Sequence, residues 1–349
     1  MVKSGRRPAP RGPFAKVLWL LAAGTVLSMS ASVGFSTTVS AKSQPKTVRV
    51  AYLALSLANP YVAGVIKAMG PEAAKLHAKV TNFNANSSAT TQYQQCEDTI
   101  ATRAFQALVI SAVSPSIVPC VKQAVKAGIK VVGINKPLIN EYTYLTPEPK
   151  GVSGLVVRLP QADSDSMAAL MVGACAKFHP CHVGLILGLA GSVDDTVRGT
   201  TVTAAAAKHH FDIVATGYGD YDETTSQTLS ENMLTANPDI NVFVVAADQM
   251  ALGVQRTLQG SGDLRKVLIT GVGASIPGIA AVRSGLWYGT TTWLPSTEGS
   301  KGLYLAVKAV RSKKPIRVGV DEVAASGLPN YFDIHNIKKY PKFKGEWAI

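Results

Sequence analysis

Short apolar runs and longer amphipathic stretches alternate along most of the chain, beginning after a Ser- and Thr-rich stretch that ends near Lys46. Residues 48–55 (VRVAYLAL) are largely apolar without strict alternation, which is typical of a strand buried on both faces of a parallel sheet. Pro60 then predicts the first turn of a helix, because proline is favoured there. Repeated alternation of strands and helices predicts parallel sheets with right-handed crossovers.

The number of predicted strands indicates two sheets rather than one. About eleven strands would strain a single open sheet. The sequence therefore predicts an α/β protein with two doubly wound parallel-sheet lobes joined by a multi-strand hinge. The first lobe is expected to comprise residues 47–159 plus 294–318, and the second lobe residues 160–293 plus 319–335.

Residues 1–41 have the pattern of an export signal peptide. Basic residues up to Lys16 precede an apolar run (VLWLLAAGTVL) that is too short for the roughly 20 residues that span a bilayer. The sequence VSA at 39–41 fits a signal peptidase site. The sequence predicts cleavage after Ala41 and a periplasmic or otherwise extracytoplasmic protein, with an uncleaved membrane anchor as the alternative.

The net charge of +13 raises the question of a nucleic-acid partner, and the distribution of the charge argues against one. Residues 1–41 hold five basic and no acidic residues, so the rest of the chain carries 13 − 5 = +8. No dense stripe of Lys and Arg interleaved with aromatic residues occurs in that remainder. An exported protein also does not meet the chromosome, so nucleic acid is not expected as a partner.

The cysteines predict disulfides, because an even number of cysteines in an exported protein favours them. They are Cys96, Cys120, Cys175 and Cys181. Of the three possible pairings, Cys96–Cys120 with Cys175–Cys181 is preferred, since the other two would cross between the lobes. A metal site is the alternative for the second pair, because His179 and His182 lie beside it, although the spacing matches no common zinc motif.

Motifs of the common α/β enzymes are missing from the sequence. Gly271 and Gly273 follow a predicted strand, but the next glycine is at 278, so the dinucleotide-binding fingerprint fails. No Walker A, G-x-S-x-G or H-E-x-x-H motif occurs. The aspartates at 163, 165, 194 and 195 precede predicted helices and are interpreted as helix caps. The sequence therefore predicts no catalytic residue, no metal and no cofactor.

Five segments, taken in order, resemble the ribose-type periplasmic substrate-binding proteins of sugar ABC transporters, which have the type I periplasmic-binding fold. They are Ala58-Asn-Pro-Tyr61, Gly133-Ile-Asn-Lys136, residues 191–199 with Arg198 before the last glycine, Asp248-Gln-Met-Ala-Leu-Gly253, and Thr291-Thr-Trp-Leu-Pro295. Each motif alone is weakly specific, whereas their order and spacing are typical of the family. The resemblance covers residues 47–320.

Each of these segments lies where a predicted strand meets a predicted helix, and open α/β sheets bind ligands beyond the carboxyl ends of their strands. The resemblance implies a cleft between the lobes that closes on its ligand by a hinge motion. The residues expected to bind the ligand supply amides, aromatic faces and charges: Asn59, Tyr61, Gln95, Asn135, Lys136, Arg198, Tyr221, Asp248 and Trp293. Helix capping is the alternative role of Asn59 and Asp248, and packing between the lobes is that of the three aromatic residues.

The sequence departs from the family at three positions of the expected site. Asn135 and Gly273 stand where the family usually has aspartate, and Ala247 stands where it usually has asparagine. Carboxylates that would accept sugar hydroxyls are therefore missing, while Lys136 and Arg198 remain. A ligand with its own acceptors or a negative charge, such as a sugar acid, is the expected one.

The resemblance implies a solute-binding protein that delivers a small polar, carbohydrate-like ligand to the membrane permease of an ABC transporter. It is expected to be a monomer without a catalytic step. A periplasmic ligand sensor for a membrane receptor is the first alternative, which a neighbouring receptor gene would favour. A secreted hydrolase is the second, which turnover of a substrate would reveal.

Overall fold

The computed structural model describes residues 46–349, and the predicted signal peptide lies outside these residues. Parallel strands and helices alternate along this part of the chain, as the apolar pattern predicts. The strands β1 to β12 are Val48–Ala54, Ala78–Asn84, Ala107–Ser111, Lys130–Asn135, Gly154–Val157, His182–Leu187, Asp212–Tyr218, Val242–Val245, Leu268–Val272, Gly289–Thr291, Val318–Asp321 and Tyr331–Asp333. The helices α1 to α10 are Pro60–Lys75, Ala89–Ala101, Val118–Lys126, Pro160–Cys175, Val193–His209, Glu223–Ala236, Asp248–Ser261, Ile276–Ser284, Pro295–Arg311 and Glu322–Ser326.

The strands form two six-stranded sheets, which confirms the two-lobe α/β fold predicted from the sequence. The first sheet has the order β11-β5-β4-β3-β1-β2 and is parallel throughout. The second has the order β12-β10-β9-β8-β6-β7, and only the pairing of β12 with β10 is antiparallel. Apolar side chains cover both faces of the central strands, which explains why these strands are apolar without alternation.

Within residues 46–349, three connections join the sheets: β5 to α4, β10 to α9, and β11 through α10 to β12. Helix α9 returns to the first lobe, where it packs on α1 and β4. Strand β11 pairs with β5 as far as Asp321, so the third connection follows this residue. The sequence places that boundary after residue 318, because a four-residue edge strand gives little apolar pattern.

Both preferred disulfides are present. The bond Cys96–Cys120 joins α2 to α3 in the first lobe, and Cys175–Cys181 joins the end of α4 to the start of β6 in the second. The second bond uses both cysteines of the alternative metal arrangement. No helix in the described part of the chain is long and apolar enough to cross a membrane.

Candidate ligand-binding cleft

A cavity of about 470 Å³ lies between the lobes, at the carboxyl ends of both sheets. The segments that line it lie at or beyond the ends of β1, β3 and β4 in the first lobe and of β6, β7, β8 and β9 in the second. Its volume falls within the range of about 300–1,000 Å³ that is usual for small-molecule sites. The topology of two facing parallel sheets therefore creates a site where the sequence analysis places it.

Seven of the nine residues predicted to bind the ligand line this cavity. They are Asn59, Tyr61, Asn135, Lys136, Arg198, Tyr221 and Trp293. The structure does not bring Gln95 and Asp248 to it. The carboxamide of Gln95 donates to the carbonyl oxygen of Asn84 over 2.8 Å, which ties it to the end of β2.

Asp248 is fully buried behind the cavity and holds the loop that follows β9. Its carboxylate accepts from Ser275 N at 2.7 Å, Ser275 Oγ at 2.6 Å and Thr290 Oγ1 at 2.7 Å. Burial raises the pKa of Asp248 above its ordinary value, although these three hydrogen bonds act in the opposite direction. The sequence indicates a choice between a helix cap and a ligand contact, and the carboxylate does neither, since α7 has no side-chain cap.

Asn59 performs the capping role that the sequence analysis keeps as its alternative. Its Oδ1 accepts from Tyr61 N at 2.9 Å and Val62 N at 3.4 Å at the start of α1. Because Oδ1 is engaged, the amide nitrogen is the group that Asn59 can direct to a ligand. The cap also fixes the position of Tyr61, which is the second residue of α1 and lines the cavity.

Lys136 forms an ion pair across the cleft. Its Nζ lies 3.1 Å from Oδ2 of Asp194, which stands in the first turn of α5 in the other lobe. Both side chains line the cavity. Asp194, which the sequence analysis treats as a cap, is thus a residue of the cleft, while Ser192 caps the helix.

Arg198 lies at the centre of a buried polar network. Its Nε and Nη2 donate to Oδ2 of Asp163 at 2.9 and 2.7 Å, and its Nη1 donates to Oδ1 of Asp195 at 3.4 Å and to the hydroxyl of Tyr221 at 3.0 Å. Burial alone would raise the pKa of Asp195, but Arg198 and the backbone N–H groups of Leu189 and Gly188 hold it below its ordinary value. Arg198 is therefore committed to protein partners.

The same network fixes Trp293 at the second connection between the lobes. The indole Nε1 donates to Oδ1 of Asp163 over 2.7 Å, and the guanidinium carbon of Arg198 lies 5.6 Å from the centre of the ring. Thr291 Oγ1 donates to the same carboxylate oxygen. Asp163 thus binds the arginine and the tryptophan at once, a role that its position in a helix first turn does not reveal.

Sequence reasoning also missed Gln249 and Trp347, which both line the cavity. Gln249 follows Asp248 in one of the five segments of the resemblance, and this position could have identified it as a candidate. Trp347 belongs to residues 336–349, hereafter the strap segment, which follows the last strand. The strap segment has no periodic pattern, and the sequence alone gives no reason to place it in the cleft.

Several non-glycine residues of the cleft have a left-handed backbone. Asn135 has a φ of 72°, Asp220 and Tyr221 have φ of 54° and 55°, and Ala274 has a φ of 44°. Asn135 is the last residue of β4, and the other three lie just beyond the carboxyl ends of β7 and β9. Such backbone is costly for residues with a Cβ and tends to occur at functional sites.

The chain is similar in sequence to known periplasmic binding proteins. A sequence model described as the periplasmic binding protein domain matches residues 50–314. The ribose import binding protein RbsB of Salmonella typhimurium is 26% identical over 288 residues, which cover 82% of this chain and 93% of the relative. The D-allose-binding periplasmic protein of Escherichia coli is 26% identical over 264 residues, covering 75% of this chain and 84% of the relative.

Solved structures agree with the fold. An ABC transporter solute binding protein from Bacillus halodurans with bound myo-inositol has a TM-score of 0.71 at 20% identity, covering 84% of this chain and 96% of that structure. A galactofuranose binding protein has a TM-score of 0.72 at 15% identity, covering 85% and 98%. Both have the arrangement of two α/β lobes described above.

Proposed function

Because this chain belongs to the periplasmic binding protein family, we propose that it captures a small, sugar-like solute in its interlobe cleft and delivers it to the membrane permease of an ABC transporter. The observation that carries the proposal is the cleft itself, which residues from both lobes line and three connections flank. A ligand that touches both lobes stabilises their closed arrangement, and a permease can recognise that arrangement.

The comparisons support a sugar-like solute. Relatives that span most of this chain are named as ribose-binding and D-allose-binding proteins, and structural neighbours hold myo-inositol, D-allose and D-fucose. The cleft offers the amide groups and aromatic rings that hydroxylated rings bind. No catalytic step is part of the proposal, so the ligand should leave the protein chemically unchanged.

The proposal places the protein outside the cytoplasm as a monomer, exported through residues 1–41. The two disulfides are consistent with an oxidising compartment, since such bonds are rare in the cytosol. The lobes act as the two moving bodies, with the division after residues 159, 293 and 321.

The test is mass spectrometry of small molecules released when protein purified from its native host is denatured. We expect one solute at close to one molecule per chain, and calorimetric titration of the stripped protein should show that this solute binds again. A protein that releases nothing, and that no member of a panel of monosaccharides, cyclitols and glycosides stabilises against heat, would contradict the proposed function. Recovery of a chemically altered compound would favour the hydrolase alternative.

A further inference from the structure

The cations of the cleft are neutralised within the protein. Lys136 is paired with Asp194, and Arg198 is paired with both Asp163 and Asp195. Two cations therefore face three carboxylates. The sequence predicts an acidic ligand because Lys136 and Arg198 are cations. In the structure both cations are paired with carboxylates, so they no longer support that prediction. An added anion would compete with carboxylates that are already in place.

Two buried acceptor oxygens of the cleft lack a hydrogen-bond partner, beside the hydroxyl of Tyr61, which can donate as well as accept. Oδ1 of Asp194 and Oε1 of Gln249 are buried without a hydrogen-bond partner, and both residues line the cavity. Both side chains are more than nine-tenths buried. Buried acceptors of this kind are normally satisfied, so a ligand that carries hydroxyl donors fits them.

Three aromatic side chains form the apolar part of the cleft wall. The ring of Tyr61 meets the ring of Trp293 edge to face at 5.9 Å and the ring of Trp347 at 5.5 Å. Smaller apolar side chains continue this wall: Val62, Val113, Leu189, Ala247 and Val272. Within residues 46–349, the part of the lining that the first lobe supplies holds no carboxylate.

Trp347 occupies the space that a side chain at position 273 would need. A Cβ built on Gly273 would lie 2.7 Å from Cζ2 of Trp347, and the indole Nε1 donates to the carbonyl oxygen of Gly273 over 2.8 Å. The backbone N–H of Ile276 donates to the carbonyl oxygen of Trp347 over 2.8 Å. At the end of β9, the indole of Trp347 therefore occupies the place that a polar side chain at position 273 would otherwise take.

The strap segment is held by both lobes. Trp347 binds the loop after β9 in the second lobe, while Glu346 Oε2 accepts from Ser296 N at the start of α9, which packs in the first lobe. On the first-lobe side, a Cβ on Gly64 of α1 would lie only 3.1 Å from Cβ of Trp347. The strap segment also lies beyond residues 50–314, the part of the chain that the family model matches.

We propose that the strap segment builds a ligand-contacting wall with Trp347, so that the cleft selects a neutral ring compound that carries both hydroxyl donors and a flat apolar face, such as an aryl glycoside. This inference rests on the proposed solute-binding function and narrows its ligand class. A bare monosaccharide would satisfy the acceptors but leave the aromatic wall uncovered. A sugar acid would meet no free cation among the cleft residues within 46–349.

The test compares methyl and phenyl β-glycosides of the same sugars, with D-ribose, D-allose and D-glucose as the sugar parts and D-glucuronate as the acidic probe. Calorimetric titration should show the phenyl member of at least one pair binding about ten- to a hundredfold more tightly than the methyl member, as expected for burial of one aromatic ring. D-Glucuronate should bind more weakly than the methyl glucoside.

In the Trp347→Leu variant, the phenyl glycoside should bind less than about threefold more tightly than the methyl glycoside. That ratio corresponds to less than half of the free-energy difference of a tenfold change in affinity. Trp287→Leu is the matched control, because Trp287 is buried in the second lobe and does not line the cavity. The comparison of methyl and phenyl members on the unmodified protein decides the question even where a variant fails to fold.

Equal or tighter binding of the methyl member in every pair that binds would overturn this inference and leave the proposed function standing. If no probe binds, the solute released from native protein decides: a neutral ring with an apolar face supports the inference, and a bare sugar or an acid overturns it. The lack of any released solute and of any binding would contradict the proposed function itself.

Discussion

At the scale of single residues, the sequence does not show which side chains near the cleft face the ligand and which stabilise the fold. Arg198 has the charge and the position of a ligand contact, yet the residue is only 3% exposed and its guanidinium donates hydrogen bonds to two carboxylates. The sequence could identify Arg198 as special because a cation in the first turns of a helix is electrostatically unfavourable. It could not identify Asp163 as the partner, since the two residues meet only in the folded chain.

Arg198→Ala should therefore lower the free energy of unfolding by about 3–5 kcal/mol, because it leaves Asp163 buried without its cation. Urea denaturation followed by circular dichroism measures the change. Arg256→Ala is the matched control, because this arginine is 61% exposed and its pair with Glu223 should be worth less than about 1 kcal/mol. Equal stability of the two variants would show that the buried network contributes nothing.

Asp248→Ala should lower the free energy of unfolding by about 2–3 kcal/mol, since it leaves the buried N–H of Ser275 without its charged acceptor. The loss exceeds the 1 kcal/mol or so that is usual for a helix cap. Thermal and urea denaturation of the unliganded protein measure it. Asp222→Ala, which removes an ordinary cap of α6, provides the comparison. A loss no larger than that of Asp222→Ala would contradict the anchoring role of Asp248.

At the scale of elements, the sequence predicted the regular helices and strands well, and the short edge strand β11 and the strap segment poorly. Helix α1 begins at Pro60, as the proline predicts. Short edge strands such as β11 and the strap segment carry no periodic signal, because their positions depend on contacts distant in sequence. Trp347 reaches the cleft through hydrogen bonds to Gly273 and Ile276, and no local pattern encodes such contacts.

The hinge elements contain a cluster of buried carboxyl groups. Glu298 in the first turn of α9 and Glu322 at the start of α10 are fully buried, and Glu346 of the strap segment lies near them. Burial, together with the charge of Glu322, raises the pKa of Glu298 well above its ordinary value. Burial also raises the pKa of Glu322 to about 7, while Arg158 and a hydrogen bond from Leu294 N act in the opposite direction.

A carboxyl whose pKa is higher in the folded state favours folding at low pH, and this contribution is lost as the pH rises through the folded-state pKa. For Glu322 the free energy of unfolding should therefore fall as the pH rises from 4.5 to about 7. Glu322→Gln should raise the melting temperature at pH 8 much more than at pH 5, because it removes the buried charge that Glu322 carries above its pKa of about 7. Thermal melts across this pH range measure the effect.

Glu231→Gln serves as the control for this series, because Glu231 lies on an exposed face of α6. Its melting temperature should follow that of the unmodified protein at each pH. A Glu322→Gln variant whose melting temperature shows the same pH profile as the unmodified protein would contradict the role of the buried carboxyl cluster.

At the scale of the whole molecule, the cleft lies between two lobes, and the described chain crosses from one lobe to the other three times. The sequence predicted this organisation because the number of strands exceeds what one sheet accommodates. It did not predict the ion pair of Lys136 with Asp194, since the distance between residues of different lobes depends on how the lobes meet.

The charge swap Lys136→Asp with Asp194→Lys tests this ion pair as a latch between the lobes. Either single change should weaken binding of the released native solute by roughly fivefold, which corresponds to about 1 kcal/mol. The double variant should recover the compact arrangement of the lobes but only part of the affinity, because Asp194 also supplies an acceptor for the ligand. Calorimetry measures affinity, and small-angle X-ray scattering should show a larger radius of gyration for the single variants. Additive losses in the double variant would mean that the two residues act independently.

The left-handed backbone of the cleft loops affects both the stability of the fold and the rigidity of the binding site. Glycine at Tyr221 or Ala274 would relieve a conformational cost of about 1–2 kcal/mol per position and so stabilise the fold. The same glycines would loosen the loops that hold the ligand-facing side chains. The retained strain therefore keeps a fixed frame, on which new ligands can be accommodated by exchanging side chains while the backbone stays as it is.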